Sequence, residues 1–344
     1  MHPDAEVWKE ICFGDKPVSE EGARFSVSLT VQNSELQHGQ FGDSWIACLR
    51  YKPDNGTYRD LSGNKRPWHK VVVPTYRAGE TDLGFRVPAV KHLRETKIAV
   101  FGMGALGSPL CIELARNRCQ NLTIVDNDII EPGNTVRWAL GASSWGKTKV
   151  AVLAQYINAE YPETGVTPVE LHIGGYISKG PGDFDIIEAI VKKADVVIDA
   201  MASTGVTRSI ADACRRQKKM LISLAGTVSL EGGTVTLYDP NSGCPACRDL
   251  HYDAKLFERA SGSEDVMALK QPVGCAELTF NGASFDLQEL TLEAVRMTVD
   301  LRTDHGAHEG SVVHTLSLHD GTKRQPPAWR IDKIPIAKEC GCQR

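Results

Sequence analysis

The sequence predicts an α/β fold: a Rossmann-like doubly wound sheet, mostly parallel with antiparallel edge strands, plus a small β-rich N-terminal appendage. Three observations predict it. From about residue 91, short apolar runs alternate with helical stretches, the pattern of successive βαβ units. The first of these runs ends in a glycine-rich turn that opens a helix, as nucleotide-binding sheets do. Strict alternation at 233–238 and 312–318 reads as antiparallel edge strands with one solvated face.

Taken in order, residues 1–90 form the appendage. Trp8, Trp45 and Trp68 lie there, with turn signals at 54–56 and 62–64. Runs at 25–31, 44–50 and 70–74 read as strands. No catalytic pattern is visible in this stretch, and its role is unassigned. Residues 91–344 form the main domain. Its parallel strands are predicted at 97–101, 122–125, 165–169, 195–199 and 220–224. Helices are expected at 109–118, 145–160, 186–193 and 207–219, with a long one at 285–301. No repeat or low-complexity tract interrupts them.

Composition narrows the function. The chain has 344 residues, and 42% are hydrophobic and 24% charged, which supports a folded core and excludes a disordered polymer. A net charge of −4 argues against a nucleic-acid-backbone binder. No apolar run of about 18 residues predicts a membrane span, and the opening MHPDAEVWKE has no secretory apolar segment. A cytoplasmic protein with mostly reduced thiols is therefore expected for its ten cysteines.

The glycine loop is Gly102-Met-Gly104-Ala-Leu-Gly107. Its glycines let the backbone approach a phosphate, and the following helix supplies amide donors. Asp126 closes the next strand, 19 residues after Gly107, where a carboxylate can accept ribose hydroxyls. A dinucleotide-dependent dehydrogenase shares these features. The residues after Asp126 argue for a triphosphate instead: Asp128, Asn134, Arg137 and Lys149 come in order. Arg137 offers a planar fork for phosphate oxygens, Asn134 an uncharged donor, and Lys149 a cation at a helix start.

The cysteines divide by position. Cys244-Pro-Ala-Cys247 and Cys340-Gly-Cys342 are two close pairs of soft ligands that suit tetrahedral Zn2+. A disulfide or redox pair is the alternative. Cys275, ahead of the long helix, is a candidate nucleophile whose pKa a helix start can lower; a small buried residue is the alternative. His251 is too distant in sequence to be paired with it. Cys111, Cys119 and Cys214 fall in helical stretches and read as core. Cys12 and Cys48 have no assigned role.

Over roughly residues 94–344 these motifs resemble the adenylyltransferase core shared by ThiF, MoeB and the ubiquitin-activating enzymes. The resemblance rests on the glycine loop, Asp126-x-Asp128, Asn134-x-x-Arg137, Gly146-x-x-Lys149, Val196-Val-Ile-Asp199, Gly226 with Glu231-Gly232, and the cysteine pairs. It implies ATP and Mg2+ binding, with Gly102, Gly104, Gly107, Asp126, Asp128, Asn134, Arg137, Lys149 and Asp199 at the nucleotide. It implies adenylation of the C-terminal glycine of a ubiquitin-like or sulfur-carrier protein, and then transfer to a thiol, with Cys275 as the candidate and a conjugating enzyme as a further partner. It also implies structural zinc on Cys244, Cys247, Cys340 and Cys342, and a homodimer in which an arginine crosses to the partner's nucleotide. Arg77, Arg86 and Arg94 are candidates for that arginine. The added N-terminal stretch inclines the reading to a bacterial ubiquitin-activating-like branch over thiamine or molybdopterin sulfur transfer. There is one departure. The family's second aspartate after Asp199, a magnesium ligand, falls at Ala202 here. That leaves the metal to Asp199, to another acid, or to ATP and water, and keeps a non-catalytic scaffold as an alternative.

Overall fold

The computed structural model describes residues 9–12, 24–37, 39–52, 58–59, 65–66, 69–75, 84, 87–174, 181–201, 203–262, 282–303 and 309–343. Ala202, Cys275, Arg77 and Arg86 lie outside the described residues. The chain divides into two compact units, Met1–Arg86 and Val87–Arg344. Among the described residues, no helix is long and apolar enough to cross a membrane.

The first unit holds an antiparallel sheet of β1 (Lys9–Cys12), β2 (Arg24–Gln37), β3 (Gln40–Lys52) and β6 (His69–Pro74), in that spatial order. The short strands β4 (Tyr58–Arg59) and β5 (Lys65–Arg66) pair separately. Gly39, at φ +74°, makes the turn between β2 and β3, a conformation that favours glycine. The three strands expected from alternation fall inside β2, β3 and β6.

The second unit is built on one eight-stranded sheet. Strands β7 (Lys97–Phe101), β8 (Asn121–Val125), β9 (Gly165–Val169), β10 (Val196–Asp199) and β11 (Met220–Gly226) run parallel, in the spatial order β9-β8-β7-β10-β11. Strands β12 (Gly232–Tyr238), β13 (Ser311–Asp320) and β14 (Lys323–Ile334) extend it antiparallel beyond β11. The mostly parallel, doubly wound sheet with antiparallel strands at one side is the fold the sequence predicts.

Burial explains the apolar runs. Alternate residues of each strand face opposite sides. Ile98, Val100, Ile222 and Leu224 join one buried cluster. Ala99, Phe101 and Leu221 join the other. Helices α1 (Gly107–Arg116), α2 (Lys149–Glu160) and α6 (Ser284–Asp300) supply Leu110, Leu153 and Leu290 to the first cluster. Helices α3 (Asp183–Lys193), α4 (Thr204–Gln217) and α5 (Pro245–Asp253) supply Ile187, Ile210 and Cys247 to the second. A strand buried on both faces cannot alternate in polarity, so it reads as a continuous apolar run.

Several boundaries differ from expectation. The helix expected from residue 145 starts at Lys149, because 142–144 form a 3-10 turn and Thr148 takes the extended N-cap position. β13 is not the edge, since β14 lies outside it. Pro326 and Pro327 hide β14 from a strand reading, yet proline is tolerated on an edge strand. The first cysteine pair sits at a helix start that the spacing does not announce: Cys244 is the N-cap of α5 and Pro245 its first residue, a favoured place for proline.

Candidate nucleotide site and cysteine cluster

The sheet order fixes where a ligand can lie. The chain leaves β7 toward β8 on one side, while β10 lies on its other side. Connections diverging from adjacent parallel strands open a crevice at their C-terminal ends. Gly102 follows β7 at this point and Ala200 follows β10.

The three loop glycines do different work. Gly102 has φ +89°, and a Cβ there would lie 2.8 Å from backbone atoms of Ala200 and Met201. A Cβ on Gly107 would lie 1.8 Å from the Gly102 carbonyl oxygen. Both are demanded by packing of the loop on itself and on the end of β10. Gly104 has nothing within 4 Å of its Cβ position. It is the open side of the loop, where a phosphate can approach the backbone.

Asp126, 7% exposed, closes β8. Its Oδ2 accepts the Met103 N–H at 2.6 Å, and its Oδ1 accepts the Asp128 N–H at 2.8 Å. The ribose candidate is thereby locked to the glycine loop. Lys149 begins α2. Its Nζ lies 2.7 Å from Asp128 Oδ2, and its backbone N–H donates to the Asp128 carbonyl at 2.9 Å. Its side chain is only 10% exposed, whereas that of Asp128 is 57% exposed. The fold thus holds this ammonium against the carboxylate of Asp128.

Asn134 caps the 3-10 turn Pro132–Val136. Its Oδ1 accepts the Glu131 N–H at 3.0 Å. Spending the amide oxygen in the cap leaves the amide nitrogen, a donor, for a ligand. Arg137 follows the turn, half-buried, with its N–H bonded to the Asn134 carbonyl at 2.9 Å. Hydrogen bonds thus join Asp126, Asp128 and Lys149 to one another, and Asn134 to Arg137.

Asp199 stands apart. It is 0% exposed at the end of β10. It accepts the Met201 N–H at 3.0 Å and the Ser223 hydroxyl at 3.0 Å, together with the Thr207 hydroxyl. Burial pushes its carboxyl above the usual range, against these three donors. In this conformation Asp199 ties β10 to β11 and α4, with no surface turned to solvent. Arg94 lies before β7, at the opposite end of the strand from the glycine loop, and its carbonyl accepts the Gln120 N–H.

Trp138 escaped the sequence reading. It is 6% exposed, and its indole N–H donates to the Met103 carbonyl at 2.7 Å. A tryptophan among charged motif residues signals only a hydrophobic anchor. Its reach back to residue 103 needs the tertiary structure.

On the other side of the sheet, the sulfurs of Cys244, Cys247, Cys340 and Cys342 all lie within 4.8 Å of one another. Neighbouring pairs are 3.6 Å (Cys244–Cys340 and Cys247–Cys342) and 3.8 Å (Cys244–Cys247) apart. A regular tetrahedron with Zn–S arms of about 2.3 Å has edges of about 3.8 Å, so the donor set fits zinc. These separations are far from a disulfide bond of about 2.05 Å. Arg215 of α4 donates to the carbonyls of Cys342 and Ser242, bracing both loops. Cys111, Cys119 and Cys214 are buried. Burial pushes their thiols well above the usual range, Cys119 to about 12. They are packing residues, as expected. His251 is also structural, with Nε2 at 2.8 Å from the Pro335 carbonyl.

A doubly wound sheet with a glycine loop and an acid at its switch point defines a Rossmann-type nucleotide-binding fold. The chain belongs to the ThiF family, whose model matches residues 81–277. It is 40% identical to the uncharacterized protein y4qC of Sinorhizobium fredii, over 97% of this chain and 58% of that one. It is 27% identical to the ATP-dependent ubiquitin transferase-like protein Cap2 of Enterobacter hormaechei, over 51% of this chain and 30% of that one. The chain therefore spans little more than half the length of y4qC and less of Cap2. The fold is similar to that of E. coli MccB crystallised with AMPCPP and MccA, with TM-score 0.55 at 16% identity, covering 79% of this chain and 76% of that one.

Proposed function

We propose that this chain is the ATP-dependent adenylating part of an enzyme that activates the C-terminal glycine of a ubiquitin-like protein. The observation that carries the proposal is the open face of Gly104, beside a Met103 backbone bonded both to Asp126, which Asp128 joins to Lys149, and to Trp138 of the turn that carries Asn134 and Arg137. Membership of the ThiF family and the likeness to Cap2 support the same reading.

A carboxylate is a poor electrophile, and adenylation gives it a leaving group. An oxygen of the glycine carboxylate attacks the α-phosphorus, the bond to the bridging oxygen breaks, and pyrophosphate leaves. Asp126 holds the ribose through its remaining lone pairs. Asn134 and Arg137 grip the β- and γ-phosphates. Lys149, released from Asp128, neutralises charge building around the α-phosphate. Magnesium, when bound, supplies further neutralisation of the phosphates. Asp128, the exposed acid of the set, would be its carboxylate ligand. Asp199 would have to give up its buried donors first.

In the continuation of this reading, the Cys275 thiolate attacks the acyl carbonyl, expels AMP and leaves a thioester for a conjugating enzyme. Sulfur-carrier activation without a thioester is the second reading. The four cysteines would hold zinc and so fasten the Cys340–Cys342 segment to α5, and two copies would pair as a homodimer. Exchange of radiolabelled pyrophosphate into ATP tests the first step. Exchange that depends on a carrier ending in glycine is the expected result, and carrier binding without any exchange would instead favour a scaffold. A Cys275→Ala variant that retains exchange but loses a DTT-sensitive carrier adduct supports the thioester. Persistence of the adduct removes Cys275 from the scheme.

A further inference from the structure

We propose that Trp138 is a positioning residue that sets the span between the ribose end and the phosphate end of the nucleotide site, an inference resting on the nucleotide reading above. The Met103 peptide is clamped from both sides. Its N–H donates to Asp126 Oδ2 at 2.6 Å, and its carbonyl accepts the Trp138 indole N–H at 2.7 Å. Met103 itself is 0% exposed, so neither polar group has water as an alternative partner. The backbone N–H of Trp138 donates to the Asn134 carbonyl at 2.8 Å, beside that of Arg137 at 2.9 Å. A continuous chain therefore runs from the ribose carboxylate through the glycine loop to the turn that carries Asn134 and Arg137.

A second tie runs parallel to the first. The Ala139 N–H donates to Ser108 Oγ at 3.3 Å, and Ser108 Oγ donates to the Gly104 carbonyl at 2.8 Å. Residues 138 and 139 are thus stitched to the glycine loop at the carbonyls of Met103 and, through Ser108, of Gly104. The indole ring packs with Ile130 and Val152, which holds the side chain in place without the hydrogen bond. The N–H is what couples the two ends. A ligand that touches both ends profits from the coupling, and one that touches only the ribose end does not.

The test compares a non-hydrolysable ATP analogue with adenosine by calorimetry, using the wild type and Trp138→Phe. The phenyl ring keeps much of the packing and removes the donor, leaving a buried carbonyl unsatisfied. The expected result is roughly tenfold weaker analogue binding, with adenosine changed by less than about twofold. Equal losses for both ligands would mean that the tryptophan is merely structural and would overturn the proposal, as would no loss for either. Should the phenylalanine variant fail to fold, replacing the indole with benzothienylalanine removes only the N–H and must give the same split. A wild-type chain that binds neither ligand sinks the nucleotide reading itself. Tight wild-type binding with an unaltered ligand ratio in the variant sinks only the assignment of Trp138.

Discussion

The same substitution at two positions of the glycine loop should give opposite phenotypes. At Gly104 a Cβ meets nothing within 4 Å, and the backbone is not left-handed. Alanine there costs the fold nothing and restricts the unfolded chain, so stability should hold or rise by about 0.4–1 kcal/mol. The new methyl group would occupy the face proposed for the phosphates, and ATP affinity should fall at least tenfold. At Gly107 the Cβ would sit 1.8 Å from the Gly102 carbonyl oxygen. A backbone atom cannot swing aside as a side chain can, so the loop must shift. Overpacking of this kind costs about 3 kcal/mol, or a melting temperature lower by roughly 6–12 °C in a unit of this size. Calorimetric melting and ATP titration on both variants read the two effects. Gly104→Ala binding ATP like the wild type would refute the placement of the phosphates. Gly107→Ala melting like the wild type would refute the close approach at the loop.

Three further outcomes are expected. Lys149→Ala should slow pyrophosphate exchange by about 10²–10³-fold, read in a steady-state exchange assay, and exchange at the wild-type rate would remove the lysine from the scheme. Cys340→Ser should reduce bound zinc below one per chain by elemental analysis and lower the melting temperature, since a structural metal contributes its binding energy to the fold; an unchanged melt in excess chelator would refute the role. Asp199 gives a pH signature. Burial raises its folded pKa above the unfolded value of about 4, so the folded state holds the proton longer. Its favourable contribution is therefore present below the unfolded pKa and fades as pH rises through the raised one. In urea titrations across that window, the stability advantage of wild type over Asp199→Asn should shrink with rising pH, and an advantage that grows would reverse the assigned direction.

How much of the fold and site was legible in the sequence depends on which interactions are local. The parallel strands were readable because burial on both faces makes residues 97–101 and 196–199 continuous apolar runs. The glycine loop was readable because its constraint is steric and close in sequence: a Cβ on Gly107 would clash with the carbonyl of Gly102, five residues away. The four-cysteine cluster was readable because its members come in pairs, although nothing in the spacing shows that α5 starts at Cys244. Strand β14 was hidden by two prolines that only an unpaired edge accommodates. The state of Asp199 was illegible for a different reason. A carboxylate at a strand end is equally suited to a metal and to its neighbours' hydroxyls, and the choice lies with Thr207 and Ser223, which the sheet and α4 bring to it. Trp138 is the same case with the sign reversed. Its side chain reads as core, and it is core by packing, yet its one polar atom meets a carbonyl 35 residues back. The groups proposed to contact the nucleotide announce themselves by charge and order, whereas those that hold them in place are ordinary residues whose partners only the fold supplies.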